Sequence, residues 1–153
     1  MDDVSEIDGY ARALAEGIEA ALGGWVERGV ERTMAATGVA VPDDIAVAAA
    51  DAGRCATRAV MPVIRALLAS DIDEQRSTPL AVIRAMAVPY PTEVLHDAGI
   101  QPLGRDRFEA EAFPGDVYRL SPASFAELSP EVGEAGLAWG AAKAFEHLRR
   151  HRS

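Results

Sequence analysis

The strongest constraint on this chain is the spacing of its apolar residues, which follows the period of an α-helix. The longest periodic segment covers residues 41–70 and reads VPDDIAVAAADAGRCATRAVMPVIRALLAS. Its predicted apolar face consists of Ile45, Ala49, Ala52, Ala56, Ala59, Val63 and Leu67. Pro42, Asp43 and Asp44 predict the helix start, because proline fits the first turn and acids complement the helix dipole. Pro62 interrupts the segment, so we expect a kink one turn earlier or a split into two helices.

A second helix is predicted over residues 7–36 by the same period. Leu14, Ile18 and Leu22 are spaced by four, and Val26, Val30 and Met34 make another stripe farther along. Gly23 and Gly24 stand inside this segment, and two glycines cost a helix about 2 kcal/mol relative to alanine. We therefore expect a break or kink there. Gly38 predicts the end of the helix, because glycine readily adopts the left-handed conformation that follows many helices.

In the second half of the chain, hydroxyl residues stand directly before prolines. The pairs are Thr78-Pro79, Ser121-Pro122 and Ser129-Pro130, with Tyr90-Pro91-Thr92 as a weaker fourth signal. A hydroxyl accepts a hydrogen bond from the first turn of a helix, and proline lacks the N–H that would have no partner there. These pairs predict short helices, with a sharp stop and restart at residues 88–91. Gly99 predicts the end of the fourth segment, and the last helix is predicted from about Gly136 to Arg150.

These signals together predict the fold class. The only candidate strands, GVAVP and FPGDVYRL, are short and bounded by proline. At 153 residues the chain fits one domain, 1–153. We predict an all-α, single-domain irregular bundle of about six to eight helices. Longer helices are expected within residues 6–70 and shorter, proline-started helices within 78–150.

The formal net charge of −9 narrows the set of partners. A negative surface repels phosphate backbones and anionic headgroups, so nucleic-acid and membrane binding are disfavoured. Arg149, Arg150 and Arg152 are the exception, and we interpret them as cations that offset the dipole of the last helix. The acidic N-terminus MDDVSEID does not resemble a signal peptide, and Cys55 has no second cysteine to pair with. We therefore expect a cytoplasmic location.

Several acids and histidines have the spacing of metal ligands, but each group lacks the rest of a site. Glu93 and His96 share a helix face, yet a di-iron site needs a second such pair and further carboxylates. Asp71, Asp73 and Glu74 could supply further carboxylate oxygens, but they are predicted at a helix end and in a loop. A small all-α enzyme that uses clustered carboxylates and a divalent metal is therefore the alternative to a binding function.

Two further pairs and a cysteine also fall short of known catalytic patterns. His147 and His151 have the spacing of zinc ligands, but no glutamate lies between them to act as a general base. Glu16 and Glu19 resemble the ExxE half of the all-α nucleotide pyrophosphohydrolase motif, without its second pair. Cys55 has no histidine close in sequence and is predicted to be a small buried residue. We predict no catalytic residue, metal ligand or cofactor.

The predicted last helix carries two different stripes. The stripe of Leu137, Ala141, Ala144 and Leu148 is predicted to face the core. Trp139, Lys143 and His147 lie four apart on another face, where they can receive an acidic or peptide partner. The alternative is that Trp139 packs under residues 113–122 with Lys143 stacked on its ring.

Three segments carry a resemblance to a known family. They are FPGDVYRLSPASFAELSPEVGEAGLAWGAAKAFEHLRR, VPYPTEVLHDAGIQP and DIDEQRSTPLAVIR. Together they resemble an uncharacterised family of small helical actinobacterial proteins over roughly residues 60–150. The resemblance implies no activity and no site residue. It agrees with an arginine-rich and alanine-rich composition, which is typical of a GC-rich genome.

We predict a non-catalytic protein-binding or regulatory function, because no catalytic set is complete and aromatic residues stand near stiff proline turns. The predicted docking surface consists of Tyr90, Asp116, Tyr118, Trp139, Lys143 and His147. The partner is expected to be another protein. Self-association through the small residues of 136–144 stays open.

Overall fold

The computed structural model describes residues 2–69, 78–102 and 104–152. Its helices are α1 (Asp2–Ala36), α2 (Asp43–Ala69), α3 (Pro79–Ala87), α4 (Pro89–Asp97), α5 (Arg107–Ala112) and α6 (Pro130–Arg152), and a 3₁₀ turn covers Phe125–Glu127. No strand occurs in these ranges, so the all-α prediction is confirmed. Only five of the described helices reach nine residues, slightly below the predicted six to eight.

The centre of the fold is the pair of long helices α1 and α2. Glu19 forms an ion pair with Arg65, and Gly23 lies against Gly53, so the two helices run in opposite directions. The predicted stripe of α1 is buried along its whole length: Leu14, Ile18, Leu22, Val26, Val30 and Met34. α1 also contacts α4 and α6, whereas α3 packs on α2 and α4.

The two glycines that were predicted to break α1 lie inside a continuous helix. A Cβ atom placed on Gly53 would lie 2.8 Å from the carbonyl oxygen of Gly23 and 3.0 Å from its Cα. The backbones of α1 and α2 therefore meet directly at this point. The predicted break is wrong because packing between the helices outweighs the low helix propensity of glycine.

α2 is continuous as well, although Pro62 lies inside it, so the predicted split is wrong. Its buried face also differs from the prediction in the second half of the helix. Val63 is 41% exposed, whereas Val60 and Ile64 are fully buried. α2 packs against α3 and α4 in addition to α1, and its buried face lies about one residue away from the predicted one.

Hydroxyl and glycine signals locate the ends of the short helices well. The hydroxyl of Thr78 accepts a hydrogen bond from the backbone N–H of Ala81 at 3.1 Å, which confirms the predicted start of α3. One residue, Val88, separates α3 from α4, so the predicted stop and restart is also confirmed. Val88 keeps helical dihedral angles and Tyr90 lies inside α4. α4 is followed by Gly99 with φ +80°, as predicted for a left-handed end.

The start of α6 lies earlier than predicted. The helix begins at Pro130, and the hydroxyl of Ser129 accepts from the N–H of Glu131 at 3.3 Å. Ser121-Pro122 does not start a helix, because the chain there continues as a loop to the 3₁₀ turn. α6 packs on α1 and on that turn. None of the described helices is long and apolar enough to cross a membrane.

Candidate functional site

Four of the six residues predicted to form the docking surface are buried. They are Asp116, Tyr118, Trp139 and Lys143. Tyr90 is half-buried and packs against the core. His147 belongs to α6, but its side chain lies outside the described residues. Burial therefore removes most of the predicted surface from contact with a partner.

Asp116 and Tyr118 hold the loop that follows α5. The Asp116 carboxylate accepts hydrogen bonds from the backbone N–H groups of Leu120 at 2.6 Å and Ser121 at 2.7 Å. The Tyr118 hydroxyl donates to the carbonyl of Ile100 at 2.5 Å. Burial raises the pKa of the Tyr118 phenol above its ordinary value of 10.0. Both side chains thus stabilise the loop.

Trp139 and Lys143 lie on the inner face of α6. Trp139 is 8% exposed, and the ammonium of Lys143 lies 5.7 Å from the centre of an indole ring. This distance allows a cation–π interaction. The stacking that the sequence left open as an alternative is therefore observed, and the exposed Trp139–Lys143 stripe is not.

The outer face of α6 exposes the stripe that was predicted to face the core. Leu137 is 78% exposed, Leu148 is 64% exposed, and Ala141 and Ala144 are also exposed. The neighbouring Phe145 is 56% exposed. The prediction was wrong about which stripe is buried, because Trp139 and its neighbours occupy the inner face. We refer to Leu137, Ala141, Ala144, Phe145 and Leu148 as the outer stripe.

A groove continues the outer stripe toward the start of α6. It encloses about 790 Å³ between α6 and the 3₁₀ turn, with Phe125, Leu137 and Ala141 in its lining. A Cβ atom on Gly133 would lie 3.0 Å from the Cα of Ala126, so the turn sits directly on the backbone of α6. This close approach of a backbone to α6 lies at Gly133, before the small residues of 136–144.

Three arginines from separate parts of the chain meet at a second site, which we call the arginine cleft. Its first compartment encloses about 290 Å³ and is lined by Arg84, Arg105, Phe113, Asp116, Arg119, Ser121 and Ala123. Its second compartment encloses about 380 Å³, shares several of these residues, and adds Ala81, Ala85, Val88, Pro89, Ala112, Pro114 and Gly115. No local sequence pattern predicts this site, because its arginines are separated by as many as 35 positions.

The metal and nucleophile candidates do not assemble into a site. No group of three or more His, Cys, Asp or Glu residues that could hold a metal ion occurs in the part of the chain that the structure describes. Glu93 and His96 are both exposed on α4. The acids of residues 71–74 lie outside the described residues. Cys55 is exposed, so the prediction that it is buried was wrong.

Comparison with known proteins gives no identity for the chain: no family model, no curated protein and no solved structure matches it.

Proposed function

We propose that this protein is a non-catalytic protein-binding or regulatory protein, and that its docking surface is the outer stripe of α6. The observation that carries the proposal is the exposure of Leu137, Phe145 and Leu148 on one helix. Single exposed leucines are common on protein surfaces, but a continuous apolar stripe is typical of an interface. A second α-helix lying along α6 would remove this stripe from water.

The partner that the outer stripe fits best is a second copy of the same helix. Leu137, Ala141, Ala144 and Leu148 are separated by four, three and four positions, which is the spacing of a helix–helix seam. This order is the same in both directions, so two antiparallel copies present matching residues to each other. Each leucine would meet a leucine at the ends, and the alanines in the middle allow close approach of the two helices.

The charges of α6 favour the same antiparallel arrangement. Glu134 is exposed one turn before Leu137, and Arg152 ends the helix. These two positions lie 18 residues apart, which is five helical turns, so they share one side of the helix. In an antiparallel pair, Glu134 of each copy lies near position 152 of the other. A symmetric dimer therefore contains two such charge pairs.

The first test is sedimentation of the wild-type chain between about 1 and 500 μM, the range in which a dimer of moderate affinity dissociates. We expect twice the monomer mass at the upper concentrations. Leu137→Glu is expected to weaken the dimer at least tenfold, because it puts a charge into the seam. Val47→Glu is the matched control, since Val47 is an equally apolar residue, 62% exposed on α2. A wild-type chain that stays monomeric throughout, or equal effects of both variants, would overturn the proposal.

A charge exchange tests the orientation of the helices. Glu134→Arg alone should weaken the dimer, because it places like charges opposite each other. Combining it with Arg152→Glu restores opposite charges in an antiparallel homodimer, and the dimer should recover. If the leucine variant dissociates the dimer and the double variant does not recover, the antiparallel arrangement is wrong. A cytoplasmic location and an actinobacterial origin stay predictions from composition.

A further inference from the structure

We infer that the arginine cleft is a binding site for a small organic anion, a carboxylate or phosphate ester joined to an apolar body. This inference concerns a surface apart from the outer stripe and does not depend on dimer formation. Its basis is the pairing of a cationic compartment with an apolar compartment that share Arg84 and Phe113.

The charge of the first compartment is the starting point. Three guanidinium groups, from Arg84, Arg105 and Arg119, line a cavity of about 290 Å³ in a protein whose net charge is −9. One carboxylate, Asp116, lines it as well, and the guanidinium groups of Arg84 and Arg105 alone outnumber it. The lining of this compartment therefore carries an excess of positive charge, which attracts an anion.

Two of these arginines are held in place by the surrounding loop. The Nε of Arg84 donates to the carbonyl of Pro122, and its guanidinium carbon lies 5.5 Å from the centre of the Phe113 ring. An Nη of Arg105 donates to the carbonyl of Phe113 at 2.7 Å and approaches that of Asp116 at 3.3 Å. Within the described part of the chain, these hydrogen bonds use one nitrogen of each guanidinium. The other nitrogens can form the two parallel hydrogen bonds by which arginine binds carboxylate or phosphate.

The third arginine has an unusual backbone. Arg119 is the only residue other than glycine with a positive φ among the described residues, at +59°. This conformation costs a residue with a side chain about 1 kcal/mol or more and is concentrated at ligand sites. Here it occurs between Tyr118 and Leu120, both of which are buried, so the exposed Arg119 side chain is presented at the cleft by a tightly held segment.

The lining of the second compartment indicates the chemical character of the part of the ligand that is not anionic. It encloses about 380 Å³, and its lining includes Val88, Pro89, Pro114 and several alanines. An apolar group of the size of a phenyl ring fits this space and gains from leaving water. The anionic head would lie among the arginines while the body packs near Phe113. A purely inorganic anion would use only the first compartment.

Calorimetric titration with four small probes tests this inference. Phenyl phosphate and phenylacetate carry both parts, inorganic phosphate carries only the charge, and benzyl alcohol carries only the ring. We expect both phenyl anions to bind at least tenfold more tightly than inorganic phosphate and benzyl alcohol. Binding of inorganic phosphate as tight as that of phenyl phosphate would overturn the role of the apolar compartment. Binding of benzyl alcohol as tight as that of phenylacetate would overturn the role of the charge.

A charge-matched pair of variants locates the site. Arg119→Gln should weaken the binding of phenyl phosphate at least tenfold, because it removes one guanidinium from the cleft. Arg58→Gln makes the same change at an exposed position of α2 and should leave the affinity within about twofold. Arg119 is exposed, so its replacement keeps the fold, which the thermal midpoint checks. Equal affinities of the two variants, or no binding of either phenyl anion to the wild type, would overturn the inference.

Discussion

The α1–α2 pair and helix α6 use their apolar residues in different ways. α1 has one continuous apolar stripe, and that stripe is completely buried. α6 has apolar residues on two opposite faces, with Trp139 inside and Leu137 outside. These two residues are two positions apart, or about 200° around the helix, so they cannot both face the same core. The comparison shows that a helix with two apolar faces can bury one of them in its own fold and leave the other exposed to water.

The comparison is tested most strongly by removing one side chain from each face of α6. Trp139→Ala should lower the free energy of unfolding by about 3–5 kcal/mol, because it leaves a large cavity in the core. Leu137→Ala should change that free energy by no more than about 0.5 kcal/mol in the monomer, because Leu137 already lies in water. Urea unfolding at low micromolar concentration, where the chain is monomeric, measures both values. If Leu137→Ala proves as costly as Trp139→Ala, the assignment of the two faces is wrong.

The α1–α2 pair offers a sharper comparison between two glycines. Gly53→Ala should lower the free energy of unfolding by about 1–2 kcal/mol, because its Cβ would overlap the backbone of Gly23. In Gly23→Ala the new Cβ finds its nearest neighbour at 3.7 Å, an ordinary contact. That variant should therefore be neutral or gain up to about 1 kcal/mol from helix propensity. Equal effects in thermal or urea unfolding would show that the two backbones do not meet at this point.

Tyr118→Phe gives the smallest expected effect. At neutral pH we expect a loss of about 1 kcal/mol, because the hydrogen bond to the carbonyl of Ile100 is removed. The raised pKa of Tyr118 means that the unfolded chain loses this proton first. The contribution of the tyrosine is therefore complete below pH 10 and decreases as the pH rises through the pKa of the folded state. Urea unfolding at pH 7 and pH 10.5 should show a smaller difference between wild type and variant at the higher pH, and an unchanged difference would contradict the prediction.

The sequence predicted the fold class and the buried stripe of α1 because that helix has only one apolar face. It predicted the start of α3 because Thr78 acts through neighbours in sequence, and it predicted a helix start at Ser129-Pro130, although the last helix was expected to begin only near Gly136. The break at Gly23 was predicted wrongly, since the reason for that glycine lies in α2, 30 positions away. The inner face of α6 was left open for a related reason. Trp139 and Leu137 are both apolar, and only the position of α1 decides which of them is covered.

The arginine cleft also depends on residues that are distant in sequence, and to a greater degree. Arg84 belongs to α3, whereas Arg105 and Arg119 lie on either side of α5. Their proximity depends on how the loop after α5 returns to α3, which no local pattern of residues encodes. Most residues of the docking surface predicted around Trp139 and Tyr118 are buried, because aromatic side chains are as useful to a core as to an interface.

The contact between Gly23 and Gly53 also restricts how the two long helices can move. If α2 slid by one turn along α1, Gly53 would leave its position and Ala49 or Thr57 would take its place opposite Gly23. Either side chain needs space that the two backbones do not leave there. The close contact of the two backbones at Gly23 and Gly53 thus keeps α1 and α2 in one register.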